Sequence, residues 1–191
     1  YRKVYSAMDQ LLHEVHPYGT QTTIGTGEHL KNPSMVKIHE YFDTYYNPNN
    51  IAICLSGDFD PDATVDMIEE HFGNWKSKEI PEFTFEKDVM PNEPQRAEVL
   101  GPMQEWVTMG WRFDGVHSED ALYIDLAADL LQNGQAGLMD LNLVQAQKVL
   151  SVRGNSSTDH DYSELGFMVS LKQGQTMEEA EALVLEQIEK L

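Results

Sequence analysis

Apolar positions recur along the chain with two periods, and each change of period marks an element. Val4, Met8, Leu11, Leu12 and Val15 carry helical spacing over residues 3–15, which Pro17 ends. Pro17-Tyr18-Gly19-Thr20 has turn chemistry, and Gly19, Gly25 and Gly27 predict an irregular loop. Ser34 can cap a helix whose inner face uses Met35, Ile38, Phe42 and Tyr45, and Asn47-Pro48 stops it. Ile51 to Leu55 is a short continuous apolar run, expected to form an interior strand buried on both faces. Gly57-Asp58 turns the chain. Asp60 then caps a helix with Pro61 at its first position, expected to bury Val65, Ile68 and Phe72 and to end at Gly73.

Residues 74–95 lose this periodicity. Pro81, Pro91 and Pro94 punctuate a charged stretch in which Phe83-Thr84-Phe85 allows only a short extended piece. The expected division is therefore 1–75, a linker at 76–95, and 96–191. In the last part a strand is expected within Val99 to Phe113. It is clearest where Trp106, Thr108, Gly110 and Arg112 alternate with Val107, Met109, Trp111 and Phe113. Ser118 is expected to cap a helix to Leu131, closed by Asn133-Gly134, and Gly137 to Val149 reads as a shorter helix. Strands around Leu150–Asn155 and Leu165–Leu171 flank a polar turn. Thr176-Met177-Glu178-Glu179 is a capping box opening a helix that uses Ala180, Leu183, Val184, Ile188 and Leu191. The stretches from Ile51 and from Phe167 share the order strand, turn, capped helix, as two copies of one module would.

Charge narrows the partners. With 13 Lys+Arg against 32 Asp+Glu the net charge is −19, which argues against nucleic acid. No stretch approaches the twenty or so apolar residues that a membrane span needs. The chain opens on Tyr1 and closes on Leu191 inside a helical pattern, so both ends are expected to be cuts through a longer protein. Cys54, the sole cysteine, is expected to be a small buried hydrophobe in the run IAICL.

Candidate chemistry is sparse. Met67-Ile68-Glu69-Glu70-His71 has the shape of a metal-binding H-x-x-E-H helix, with Met in the first ligand position. His13-Glu14-Val15-His16 offers two imidazoles three apart and no third ligand. Asp159-His160-Asp161 reads as a solvated hairpin tip, and Gly25-Thr26-Gly27 lacks the Lys-Ser/Thr of a phosphate loop. His16 reads as a loop anchor, and Tyr45 and Tyr46 as packing for a helix end against a sheet. No residue is assigned to catalysis or to metal binding, and substrate contacts are left open.

The run from His16 to Pro61, HPYGTQTTIGTGEHLKNPSMVKIHEYFDTYYNPNNIAICLSGDFDP, resembles the middle of a pitrilysin/insulinase-family zinc metallopeptidase, an inverzincin. The resemblance is most specific from His16 to Trp75 and continues beyond it as an order of elements. It implies an α/β (α+β) fold of two similar domains, mixed or antiparallel sheets with helices packed on them, the first domain incomplete here. Family members are clamshells that close around a peptide, with zinc on an H-x-x-E-H helix that normally precedes the HPYG loop. The resemblance thus implies a fragment of a zinc endopeptidase that lends chamber wall and scaffold, its metal in the intact parent alone. Its implied partners are a peptide or unfolded polypeptide substrate and the other half of the clamshell, in cis or as a subunit. Some relatives have lost the metal and hold substrates or assemblies. The opposite half usually carries an Arg and a Tyr seven residues apart; that spacing here selects Leu143 and Leu150, which favours the metal-bearing half.

Overall fold

Tyr162–Ser170 (β3) alternates Leu165, Phe167 and Val169 with Glu164, Gly166 and Met168, and this alternation decides the architecture. In the computed structural model, which describes residues 1–191, β3 is the central strand of a three-stranded antiparallel sheet. Trp106–Asp114 (β1) pairs along one edge, with Gly110 opposite Gly166, and Ser151–Thr158 (β2) pairs along the other. The odd face of β3 joins Val152, Ile124, Leu131, Leu143 and Val184 in the core. Asp120–Leu131 (the sixth helix, α6) and Met177–Ile188 (α7) supply much of that layer.

The even face is built differently. Arg2–Leu12 (α1) lies over it, and a Cβ added at Gly110 would stand 3.1 Å from Met8 Sδ and 3.2 Å from a Leu12 methyl. A side chain there would make the Met8 and Leu12 side chains give way by a few tenths of an ångström. α1 ends at Leu12, three residues short of the apolar pattern. The expected alternation in Trp106–Phe113 thus matches a sheet with a different helix layer on each face.

Two compact units make up the chain: Tyr1–Glu14, Tyr18–Thr20 and Asp88–Leu191 in one, Val15–Pro17 and Gln21–Lys87 in the other. The second holds the short helix Gly27–Lys31 (α3) together with Met35–Tyr45 (α4) and Pro61–Phe72 (α5). Between α1 and α3 the turn Pro17–Thr20 (α2) has residues in both units. Caps form as expected: Ser34 accepts from Lys37 N–H, and Asp60 from Ala63 N–H at 3.0 Å. The faces they present do not bury. Ile51–Leu55 has no regular secondary structure and no ladder partner, and Ile51, Ile53 and Leu55 are 40%, 49% and 54% exposed, which corrects the expected interior strand. Cys54 is exposed for the same reason. No paired strand in this unit offers α4 and α5 a sheet, so Met35, Ile38, Phe42, Val65 and Phe72 also stay exposed. Tyr45 and Tyr46 pack on Tyr41 and Phe42 of their own turn instead.

The strand expected within Val99 to Phe113 forms where its alternation is clearest, as Trp106–Asp114. Three smaller corrections fall in the first unit. Ser118 does not cap α6; its hydroxyl donates to Asp114 C=O within the preceding turn. Within 137–149 the regular helix is a π turn, Asp140–Gln145. Leu191 lies beyond the end of α7 and is exposed. The capping box is present, with Glu179 N–H donating to Thr176 Oγ1 at 3.2 Å and Thr176 N–H to Glu179 Oε2 at 3.1 Å.

One buried carboxylate holds the loop after α6. Asp140 accepts from the backbone N–H of Asn133, Gly134 and Gly137 at 2.9–3.2 Å and from Gln132 Nε2 at 3.1 Å. Gln132 Oε1 in turn accepts from Gly154 N–H in β2 at 2.7 Å. Burial pushes the Asp140 carboxyl up, but these donors outweigh it and hold it below the ordinary aspartate value. Stability from this group is present above that ordinary value and is lost as pH falls through the lowered one. Asp140→Asn should cost about 1–3 kcal/mol at neutral pH. The deficit should shrink in urea melts taken well below the ordinary aspartate range. Ile53→Asp, on the exposed run, should move the melting temperature by no more than about a degree or two.

Candidate functional site

Charged side chains gather where the even face of the sheet meets α1. Arg112 of β1 and Glu164 of β3 are directly opposed across the ladder. His13, just past α1, sets Nε2 2.6 Å from Glu164 Oε1, its N–H donating, while Nδ1 lies 3.9 Å from Asp88 Oδ2. Arg112 stands 3.7 Å from the same Asp88 oxygen and donates to the carbonyls of Leu12, Asp88 and Val89. Its guanidinium also lies 5.0 Å over the Tyr162 ring, and the Tyr162 hydroxyl accepts from Asp88 N–H at 3.1 Å. Tyr18 meets the His13 ring edge-on and accepts from Asp161 N–H at 3.4 Å. Five separate segments of the chain meet here.

Such a cluster orients more than it stabilises. Desolvating Asp88 and Arg112 costs about what their attraction returns, so their pairing fixes which segment lies against which. Asp9 of α1 feels the balance: burial pushes its carboxyl up, the Glu164 charge adds to this, and His13 partly offsets both. Burial likewise pushes the Tyr18 hydroxyl up, with the charges of Asp161 and Asp159 adding to it against hydrogen bonds from backbone N–H groups.

Residues 35–191 match the family described as Peptidase M16 inactive domain. The chain belongs to the peptidase M16 family. It is similar to the zinc protease PqqE of Helicobacter pylori (strain ATCC 700392 / 26695), 26% identical over 141 residues, 71% of this chain and 31% of that protein. A protease structure from Helicobacter pylori superposes with a TM-score of 0.71 at 18% identity, covering 99% of this chain and 51% of that one. Pitrilysin superposes with a TM-score of 0.64 at 19% identity, over 96% of this chain and 21% of its own. At those identities the structures show the fold, a pitrilysin-like α/β arrangement. The M16 chain spans about a third of the curated relative and about half of the protease structure.

The side chains of this M16 chain do not fit a catalytic zinc, which takes three protein ligands and a water. No three His, Cys, Asp or Glu side chains are arranged to hold a metal. Met67 and His71 lie on α5, with Met67 exposed and in the first ligand position. His13 and His16 fall in different compact units, His13 engaged by carboxylates and His16 buried with the Phe85 ring 4.3 Å away. Thr26 caps the five-residue α3, accounting for the Gly25-Thr26-Gly27 loop. Leu143 is fully buried and Leu150 exposed, and neither aliphatic side chain has an N–H or O–H to donate to a substrate carbonyl. Asp159-His160-Asp161 forms the tip of the β2–β3 hairpin.

Sequence patterning had no signal for the ionic cluster, because its members are up to about 150 residues apart and each looks ordinary alone. Arg112 inside a strand that is otherwise mostly apolar was the one local hint. Arg112→Met should destabilise by about 3–5 kcal/mol, because it takes the guanidinium away from the buried Asp88 carboxylate. Asp9→Asn should act oppositely. A raised carboxyl costs stability above its own titration and nothing below the ordinary aspartate value. The variant should therefore melt higher at neutral pH, with the gain vanishing in strong acid.

Proposed function

We propose that this chain is a part of a zinc-dependent endopeptidase that supplies chamber wall and scaffold, with the metal ligands and the water-activating Glu elsewhere in the parent. The match to the family's inactive domain over residues 35–191 supports this reading most. Residues 1–75 are then the C-terminal portion of one peptidase-like domain, 76–95 a linker, and 96–191 a second domain. The substrate is a peptide or an unfolded polypeptide, enclosed with the help of the other half of the clamshell. Wall contacts far from the metal can position such a chain without any residue here moving a proton. The same family match also fits a non-catalytic relative that holds substrates or assembles with an active subunit.

Zinc content and turnover of a fluorogenic peptide by the intact parent separate the two. One zinc per parent chain with turnover supports the peptidase, whereas an upstream segment without H-x-x-E-H and without turnover supports the holding subunit. This chain alone should give no turnover even with zinc supplied, and turnover by it overturns the scaffold reading. In an active parent, His16→Ala should lower stability or peptide affinity while zinc stays bound. Zinc loss with the fold intact would make His16 a ligand.

A further inference from the structure

Two histidines that the peptidase reading does not use are brought together at one end of the sheet. His117 sits in the turn between β1 and α6, and His160 at the tip of the β2–β3 hairpin. Their ring centroids are 5.4 Å apart at an interplanar angle of 89°. The turns that carry them are locked to each other. Val116 N–H donates to Asp159 C=O at 2.8 Å, and a Cβ at Gly115 would collide with the His160 carbonyl. Each turn is also closed internally, Ser118 N–H to Gly115 C=O at 2.9 Å and Asp159 N–H to Tyr162 C=O at 3.1 Å.

We propose that His117 and His160 form a surface site for a borderline divalent transition-metal ion, one imidazole nitrogen from each and water completing the shell. Metal–imidazole bonds are about 2.0–2.1 Å, so two rings sharing a tetrahedral ion have centroids about 5 Å apart. The observed centroid spacing of 5.4 Å is close to that. His160 is already oriented: Nδ1–H donates to Asp161 Oδ1 at 2.8 Å, leaving Nε2 as the coordinating atom. A carboxylate behind a ligating imidazole fixes its tautomer and raises its basicity. The Asp161 side chain is only 13% exposed and its backbone N–H is held by the Tyr18 hydroxyl, so the orienting group is itself anchored. Two imidazoles select Cu²⁺, Ni²⁺, Co²⁺ or Zn²⁺ over Mg²⁺ and Ca²⁺, with Cu²⁺ tightest. The site is independent of the catalytic zinc of any parent, since two protein nitrogens are one short of that set.

Titrating Ni²⁺ and Cu²⁺ into this chain calorimetrically should show one saturable site, tighter for Cu²⁺. His117→Ala and His160→Ala should each weaken it at least tenfold, and Asp161→Asn should weaken it less. His39→Ala, on the exposed face of α4, should leave it unchanged. Substoichiometric Cu²⁺ should broaden the imidazole proton signals of His117 and His160 before those of other histidines, which decides the matter even if a variant misfolds. No saturable binding, or equal loss with His39→Ala, overturns the proposal and leaves the pair as an edge-to-face ring contact.

Discussion

Pairing of β3 on both of its edges is the constraint from which the ordered part of this protein follows. A strand flanked on both sides must send alternate side chains to two different layers. Here the odd positions meet α6 and α7 as apolar core, while the even positions meet α1 as glycine and charge. A one-residue slip would put Glu164 into the core and Phe167 under α1, so the register is strongly specified. The ionic cluster works in the same direction, because His13 meets Glu164 only when α1 and β3 are both in place.

The fold class, the longer helices and most caps were legible in the sequence, whereas the short helices Pro17–Thr20 and Gly27–Lys31 formed where an irregular loop was expected. Asp60 before Pro61, and Thr176 before Glu179, cap as local chemistry requires. The alternation of Trp106–Phe113 correctly separated two faces, although it did not say what would cover them. Ile51–Leu55 failed for a complementary reason. Its apolar run is local, yet a strand is a relation between segments, and no partner pairs with it. The buried ionic cluster and the Asp140 hydrogen bonds escaped because they join residues by fold and not by spacing. Ser118 misled in a smaller way, its hydroxyl being taken by Asp114 C=O before it could cap α6.

Family membership in this chain rests on its sequence match and its fold. The motifs that carry the resemblance, from His16 to Pro61, resolve into aromatic packing, helix caps and turns. Each has a structural role. The densest electrostatics of the chain lie where α1 meets the sheet, at His13, Asp88, Arg112 and Glu164.

The placement of that cluster also sets an order of assembly. The β2–β3 hairpin closes over a three-residue tip, the kind of local contact that forms in microseconds. β1 must then find β3 across some fifty residues, and the Arg112–Leu12 contact spans a hundred. Loop closure over such separations is the slow part of folding. Two contacts of the cluster carry that separation directly. His13 with Glu164 and Arg112 with Tyr162 both need β3 beside β1, so a sheet paired in another register leaves Glu164 without its imidazole and Arg112 without its ring.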